Sequence, residues 1–304
     1  MRFRNAALFV VLAVAWGSAF TAIKAGLEYF PPVLFAAFRY DLAGVLMLAY
    51  AAYATDRWRP RTRSEWHLVW VGGAFMIAAY HAFLFVGEQG TTSAAAAIIV
   101  SLSPILTTGF ARVFLPDERL TTIGILGLFV GFLGVGLLSR PDPNNLLNAR
   151  TVSMSLVFLA AASFALGSVL TRRVDADLPI ETMEAWSMLL GAVLMHAASV
   201  GIGESVADVA WTGEAVLALG YLVVVASAAG FLIYFDLLER LGPIEINLVS
   251  YAAPVAAAAT GLVFLGERPT VYTAVGFALI VTGFVLLKRD AIRDEVSRLR
   301  AHGD

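Results

Sequence analysis

The sequence predicts an all-α integral membrane protein, with ten transmembrane helices arranged as two inverted five-helix repeats. Three observations predict this fold class: the composition, the spacing of the apolar stretches and an internal repeat. Of the 304 residues, 59% are hydrophobic and 14% are charged, and the mean hydropathy is +0.79. Soluble domains contain about 45–50% apolar residues, so this composition indicates a chain whose main partner is the lipid bilayer.

Ten apolar stretches follow one another along the chain, and each is close to the roughly 20 residues that a helix needs to cross a bilayer. The fourth stretch contains Pro104, which a membrane helix tolerates where neighbouring groups satisfy the freed carbonyl. The predicted spans cover residues 5–24, 32–54, 66–87, 92–114, 121–139, 151–171, 182–202, 214–238, 244–265 and 271–288.

The distribution of Lys and Arg predicts which side of the membrane each loop faces. Sixteen of the 21 basic residues fall on the side that holds both termini, and four fall on the opposite side: Lys24, Arg140, Arg150 and Arg268. Because cytoplasmic loops carry the excess of Lys and Arg, both termini of this multi-pass protein are predicted to lie in the cytoplasm. A cleaved signal peptide is the alternative interpretation of the first span, but cleavage would leave nine spans and disturb the charge pattern.

An internal repeat relates the two halves of the chain. The segments ERLTTIGILGLFVGFLGVGLLSR (118–140) and ERPTVYTAVGFALIVTGFVLLKR (267–289) share eight identical residues at an offset of 149. The predicted domains are therefore two copies of one five-helix unit, residues 1–145 and 146–289, followed by a cytoplasmic tail at 290–304. Because five is odd, the second copy enters the membrane from the opposite side, as in carriers that alternate access around a midplane site. Duplication within a purely structural bundle is the alternative.

Short motifs in both halves carry a resemblance to a known family. WGSAF lies near the end of the first span, PPVLFAAFRY opens the second, SLSPIL and SYAAPV lie in the fourth and ninth, and LPDE and FLGE precede the fifth and tenth. Together with the ten spans and the duplication, they make nearly the whole chain resemble the EamA family of the drug/metabolite transporter superfamily. The resemblance implies secondary transport of small metabolites, often amino acids or related compounds, usually outward from the cytoplasm.

Two departures from the family pattern bear on the local structure. LPDE lacks the glycine that FLGE retains, so the two turns are expected to differ in geometry. The second half has Trp186 where Arg39 would align, so this basic residue is present in one half only. The substrate site is therefore predicted to be asymmetric.

Two ionisable residues lie in the middle of the second span. Arg39 follows Pro32 by seven residues, which places it roughly 10 Å below the outer end of its helix, where a charge needs a partner or an aqueous cavity. Arg39 is expected either to bind a substrate carboxylate or to form a structural ion pair. Asp41 lies about 200° further around the helix, so the two side chains cannot face each other. It is a candidate for proton coupling, with a hydrogen-bonded structural role as the alternative.

Further polar and aromatic side chains are predicted to complete a substrate site near the midplane. His81 lies at a similar depth to Arg39 and can donate to a substrate or titrate near neutral pH, which makes it a second candidate for proton coupling. A histidine with internal partners is the alternative. Phe85 lies four residues later on the same helix face, and small-ligand sites use such apolar walls. The remaining candidates are Trp16, Ser18, Ser101, Trp186, Tyr234, Asn247 and Tyr251.

Several carboxylates are expected to be structural instead. Glu118 and Glu267 lie in turns before repeat-related helices, where a carboxylate caps free amide groups. Glu184 lies toward the cytoplasmic end of the seventh span and is predicted to be a solvated helix end, with an ion pair in a gate as the alternative. The GxxxG formed by Gly127 and Gly131 suits close packing within one bundle or, alternatively, a homodimer.

Motifs of other functional classes are missing from the sequence. It contains no GxxxxGK[ST], HExxH or GxSxG, no cysteine, and only four scattered histidines. We therefore predict no enzyme, no metal or other cofactor and no nucleic-acid partner. The predicted function is secondary transport of a small amphipathic metabolite by alternating access. A passive channel would line its pore with polar rings and is the main alternative, and an intramembrane enzyme is the weaker one.

Overall fold

The computed structural model describes residues 2–115, 121–139, 148–241, 246, 248–287 and 289. The only regular secondary structure in these described residues is helix. In chain order the helices are α1 (Arg2–Gly26), α2 (Pro32–Ala54), α3 (Arg63–Glu88), α4 (Ser93–Phe114), α5 (Thr122–Ser139), α6 (Ala149–Thr171), α7 (Ile180–Gly201), α8 (Gly213–Leu241), α9 (Val249–Leu265) and α10 (Val271–Leu287).

The length and composition of these helices confirm an all-helical membrane protein. Within the described part of the chain, eight helices are long and apolar enough to cross a bilayer, and the apolar helices α9 and α10 are shorter, with 17 residues each. The ninth span was predicted to begin at residue 244, whereas α9 begins at Val249. Of the residues between these positions, 244, 245 and 247 lie outside the described residues.

Three of the long helices are irregular in the middle. α4 is interrupted at Ser101 and Leu102, and Pro104 lies in the first turn of the helical segment that follows. An N–H in the first turn has no intrahelical acceptor, so proline costs no hydrogen bond there. α3 contains a π-helical segment at Gly72–Ala79, and α8 contains one at Tyr221–Ala229. The sequence predicts the interruption by Pro104 but not the two π-helical segments.

A side chain from a neighbouring helix bonds to a carbonyl in each π-helical segment. The Ser163 hydroxyl of α6 donates to the Phe75 carbonyl of α3 at 2.9 Å, and the Trp16 indole of α1 donates to the Ala226 carbonyl of α8 at 3.1 Å. Side-chain donors of this kind satisfy backbone groups that a wider helix turn frees inside a membrane. Both π-helical segments are thus tied to the helix beside them.

Two antiparallel helix pairs, α2–α7 and α5–α10, join the two halves of the chain. α2 lies along α7, with Thr55 near Thr182 at one end. α5 crosses α10 where Gly127 meets the carbonyl of Gly283, so closely that a Cβ at Gly127 would lie 2.5 Å from that oxygen. The predicted close packing of this glycine stripe within one bundle is therefore confirmed.

The turn between α9 and α10 shows why one of the two acidic turns retains a glycine. Gly266 has φ +66°, a left-handed conformation that glycine adopts without strain. The next residue, Glu267, accepts hydrogen bonds from the Ser93 amide at 3.0 and 3.2 Å, so it caps α4 of the other half of the chain. Its expected structural role is confirmed, and Glu118 lies outside the described residues.

α2 runs through the core of the bundle. Phe35 and Tyr40 are almost fully buried on it, and Phe85 of α3 packs against Phe35 with ring centroids 5.3 Å apart. Ala36, Ala37 and Ala43 are fully buried. This packing holds Arg39 inside the protein.

Candidate functional site

Arg39 is the central residue of the candidate site. Its side chain is 6% exposed, its Nε donates to the Ser227 hydroxyl of α8 at 3.1 Å, and its Cζ lies 5.1 Å from the centre of the Tyr40 ring. No carboxylate in the described part of the chain pairs with Arg39, and no described residue accepts a hydrogen bond from its two terminal nitrogens. A buried guanidinium with an unused pair of donors is suited to bind an anionic group.

His81 lies next to this arginine and has two internal partners. Its Nδ1 is 2.9 Å from the Ile77 carbonyl, and its Nε2 is 2.7 Å from the Tyr40 hydroxyl. Because a carbonyl only accepts, Nδ1 donates to Ile77. The hydrogen bond between Nε2 and the Tyr40 hydroxyl fixes Tyr40 beside the guanidinium. The predicted contact of His81 with a substrate remains a prediction.

Asp41 faces away from this cluster. Its carboxylate lies 2.7 Å from Nε2 of His196 on α7, and both side chains are more than one-third exposed. Arg39 and Asp41 therefore have separate partners, as their angular spacing on the helix requires. The proposed proton coupling through Asp41 would have to pass through this Asp41–His196 pair.

Aromatic side chains of α1 and α8 form a second part of the site. The Trp16 ring lies 5.4 Å from the Tyr234 ring and 5.9 Å from the Phe231 ring. Gly230 makes room for the indole, because a Cβ there would lie 2.7 Å from its nitrogen. Trp16 and Tyr234, both predicted from the sequence, are therefore brought together.

Glu184 corrects one sequence prediction. It was expected to be a solvated helix end, but it is 9% exposed and therefore lies inside the protein. No ion pair joins it to a described residue. Sequence reasoning also missed Ser227 and Tyr40, because nothing in their local sequence distinguishes them from packing residues.

Three other candidates have different surroundings. The Ser18 hydroxyl lies 2.5 Å from the Tyr221 hydroxyl, and the Ser101 hydroxyl bonds to the Ile98 carbonyl at the interruption of α4. Trp186 donates to the Trp58 carbonyl at 2.9 Å. Trp186 therefore lies against the α2–α3 loop. Arg39, the residue with which Trp186 aligns, contacts Ser227 and Tyr40.

Tyr251 stacks near Phe284, with ring centroids 4.5 Å apart, and its buried hydroxyl has no hydrogen-bond partner among the described residues. Asn247 lies outside the described residues. The structure thus unites Arg39, His81 and Phe85 in one cluster through Tyr40. The substrate contacts predicted for Asn247 and Tyr251 stay predictions.

A bundle of membrane-length helices around a buried arginine is typical of membrane transport proteins. The comparisons with known proteins agree with this class. The chain belongs to the EamA-like transporter family, whose sequence profile matches residues 4–140 and again residues 151–289. The resemblance inferred from the sequence motifs is confirmed.

Relatives from distant organisms match almost the whole chain. An "Uncharacterized inner membrane transporter YedA" of Escherichia coli is 29% identical over 94% of this chain and 92% of its own length. A "Probable terminal-alkyne amino-acid exporter" of Streptantibioticus cattleyicolor is 30% identical over 92% of both chains. A solved crystal structure with 25% sequence identity covers 97% of this chain and 100% of its own, with a TM-score of 0.66. The protein is therefore a membrane transporter.

Proposed function

We propose that the protein is a secondary transporter that exports a small amphipathic metabolite, an amino acid or a related compound, by alternating access. The observation that carries this proposal is the Arg39 guanidinium, which is buried and has no carboxylate partner among the described residues. A charge is expensive to bury in a membrane protein unless it is compensated. A substrate carboxylate supplies that compensation.

The proposed contacts follow from the atoms that remain free. The two terminal nitrogens of Arg39 bind the carboxylate as a fork, because Ser227 and Tyr40 already hold the rest of the guanidinium. The apolar part of the substrate contacts the aromatic side chains of Trp16, Phe85 and Tyr234. An apolar pocket with few polar groups is the usual form of a small-ligand site.

Alternating access is supported by the way the two halves pack. We propose that ten helices form two inverted repeats, residues 1–145 and 146–289, because both α2–α7 and α5–α10 pair equivalent helices in antiparallel fashion. The π-helical segments begin 149 residues apart, at Gly72 and Tyr221, and each bonds to the first helix of one repeat. An inverted repeat allows the bundles to rock around a fixed central site.

Direction and driving force form part of the same proposal. Both termini lie in the cytoplasm, since the basic residues concentrate on that side, and transport runs outward. Outward transport is also the activity in the name of the exporter that is 30% identical to this chain. Protons enter the cycle through His81 or through the Asp41–His196 pair, or the substrate moves down its own gradient.

The experiment that tests the site uses the absence of cysteine from the chain. A Ser227→Cys variant places a single thiol next to Arg39, and its rate of modification by N-ethylmaleimide is measured with and without each of a panel of amino acids. We expect one class of amino acid to slow the reaction several-fold. The same thiol in an Arg39→Ala background should show no such protection.

A second single-cysteine variant serves as the matched control. Val206→Cys places a thiol on an exposed loop position, and its modification rate should not respond to amino acids. Equal protection with and without Arg39, or a thiol at position 227 that never reacts in folded protein, would show that this cluster is not the substrate site.

A further inference from the structure

A second polar cavity lies away from the Arg39 cluster. It has a volume of about 400 Å³ and forms where the end of α1, the α3–α4 turn, the start of α6 and the α9–α10 turn meet. Lys24, Arg150 and Arg268 line it together with Thr91 and Glu267. A cavity of this size falls within the range of small-molecule sites.

The basic residues of this cavity are unusual for their side of the membrane. Only four of the 21 Lys and Arg residues fall on the side predicted to face outward, and three of these four line this one cavity. Outward-facing loops are normally poor in Lys and Arg. Their convergence from three separate parts of the chain indicates a local requirement for positive charge.

The charges in the cavity are not balanced by its own carboxylates. The Lys24 ammonium donates to the carbonyls of Glu88 and Gln89 at 2.8 and 2.9 Å. These two hydrogen bonds use two of its three N–H groups. In the described part of the chain, neither Arg150 nor Arg268 forms an ion pair with a carboxylate. The cavity lining thus holds three cationic side chains and one carboxylate, that of Glu267. If the carboxylate of Glu88 is counted as well, the positive charges still outnumber the negative ones by one.

One residue of the cavity lining has a buried hydroxyl without a described partner. Thr91 is 8% exposed, lines the cavity, and its hydroxyl has no hydrogen-bond partner among the described residues. Nearly all buried polar groups in proteins are hydrogen-bonded, so an exception of this kind calls for an explanation.

We propose that this cavity is an outer binding site for a small carboxylate. Arg150 and Arg268 bind the carboxylate, and Lys24 adds its charge. The site is separate from Arg39, and its use as the place where an exported solute leaves rests on the proposed function. Binding in the cavity does not depend on transport and is measured without it.

The test follows the thermal unfolding of the purified full-length protein in detergent at low ionic strength. Sodium propionate is titrated against sodium chloride at equal ionic strength, and sodium phosphate distinguishes a carboxylate site from a general anion site. We expect a saturable rise of the unfolding midpoint with propionate and a smaller rise with chloride and with phosphate. Equal responses to propionate and chloride, or a larger response to phosphate, would overturn the assignment.

Charge-neutral variants locate the effect. Both Arg150 and Arg268 are exposed, so the double variant Arg150→Gln/Arg268→Gln should fold, and we expect its half-saturating propionate concentration to rise at least about tenfold. The matched control Arg63→Gln/Arg112→Gln removes two exposed arginines that do not line the cavity and should respond as the unchanged protein does.

The same variants separate this site from the central one. In an Arg39→Ala background, the cavity should still give a saturable response to propionate, and the two glutamines should remove it. If Arg150→Gln/Arg268→Gln responds like the unchanged protein at every concentration, or if Arg39→Ala alone abolishes the response, the cavity is not a carboxylate site. If only the proposed substrate site at Arg39 is wrong, Arg150→Gln/Arg268→Gln should still weaken the response to propionate.

Discussion

The crossing of α5 and α10 gives a quantitative prediction. A Cβ added at Gly134 would lie 2.7 Å from the carbonyl oxygen of Gly276, whereas ordinary contacts of this kind begin at 3.4 Å. The backbones must therefore separate by about 0.7 Å at this point, which weakens the reciprocal contact of Gly127 with Gly283 on the same crossing. Overpacking of this kind costs about 1–3 kcal/mol.

The matched control lies two residues further along the same helix. A Cβ at Gly136 meets nothing within 4 Å, so Gly136→Ala gains the same helix propensity, about 0.8–1.0 kcal/mol in water, without the crowding. The difference between Gly134→Ala and Gly136→Ala isolates the crowding term. We expect Gly134→Ala to be less stable by about 1–3 kcal/mol, or about 5- to 150-fold in the unfolding equilibrium.

Equilibrium unfolding in mixed micelles with increasing sodium dodecyl sulfate measures this difference, with helical circular dichroism as the signal. Equal stabilities of Gly134→Ala and Gly136→Ala would refute the close α5–α10 crossing. Since that crossing supports the antiparallel pairing of equivalent helices, it would also weaken the inverted repeat.

Two further predictions concern the Arg39 cluster and the orientation of the chain. Tyr40→Phe removes the hydroxyl partner of the buried Nε2 of His81 and should cost about 1–3 kcal/mol of stability. Tyr53→Phe, at a 91% exposed position, should be neutral. Equal effects of the two variants would contradict the buried hydrogen bond. In right-side-out vesicles, a membrane-impermeant maleimide should label Val206→Cys and not Arg59→Cys, and the reverse pattern would place the termini outside.

Apolar composition predicted the helices because lipid demands long apolar segments. The same rule singled out Arg39, since a charge within such a segment has no inexpensive location outside a protein interior. Its partner Ser227 lies 188 positions away, and no local pattern links the two. Only the packing of α2 against α8 brings them together.

Other parts of the site depend on loops and backbone irregularities that hydropathy does not encode. Glu184 was assigned to solvent from its position near a helix end, but it is buried. Trp186 was aligned with Arg39, but it bonds to the α2–α3 loop instead. The alignment of Trp186 with Arg39 thus did not locate side chains with equivalent surroundings.

Counterflow in proteoliposomes tests the central claim most directly. Vesicles are preloaded with unlabelled amino acids, aromatic and aliphatic, and entry of the labelled counterpart is followed with no ion gradient imposed. Transient accumulation of label that requires the preload in the unchanged protein, and that is lost in folded Arg39→Ala, is the result expected of an alternating-access carrier with its site at Arg39. Entry that ignores the preload, or full activity in Arg39→Ala, would contradict it.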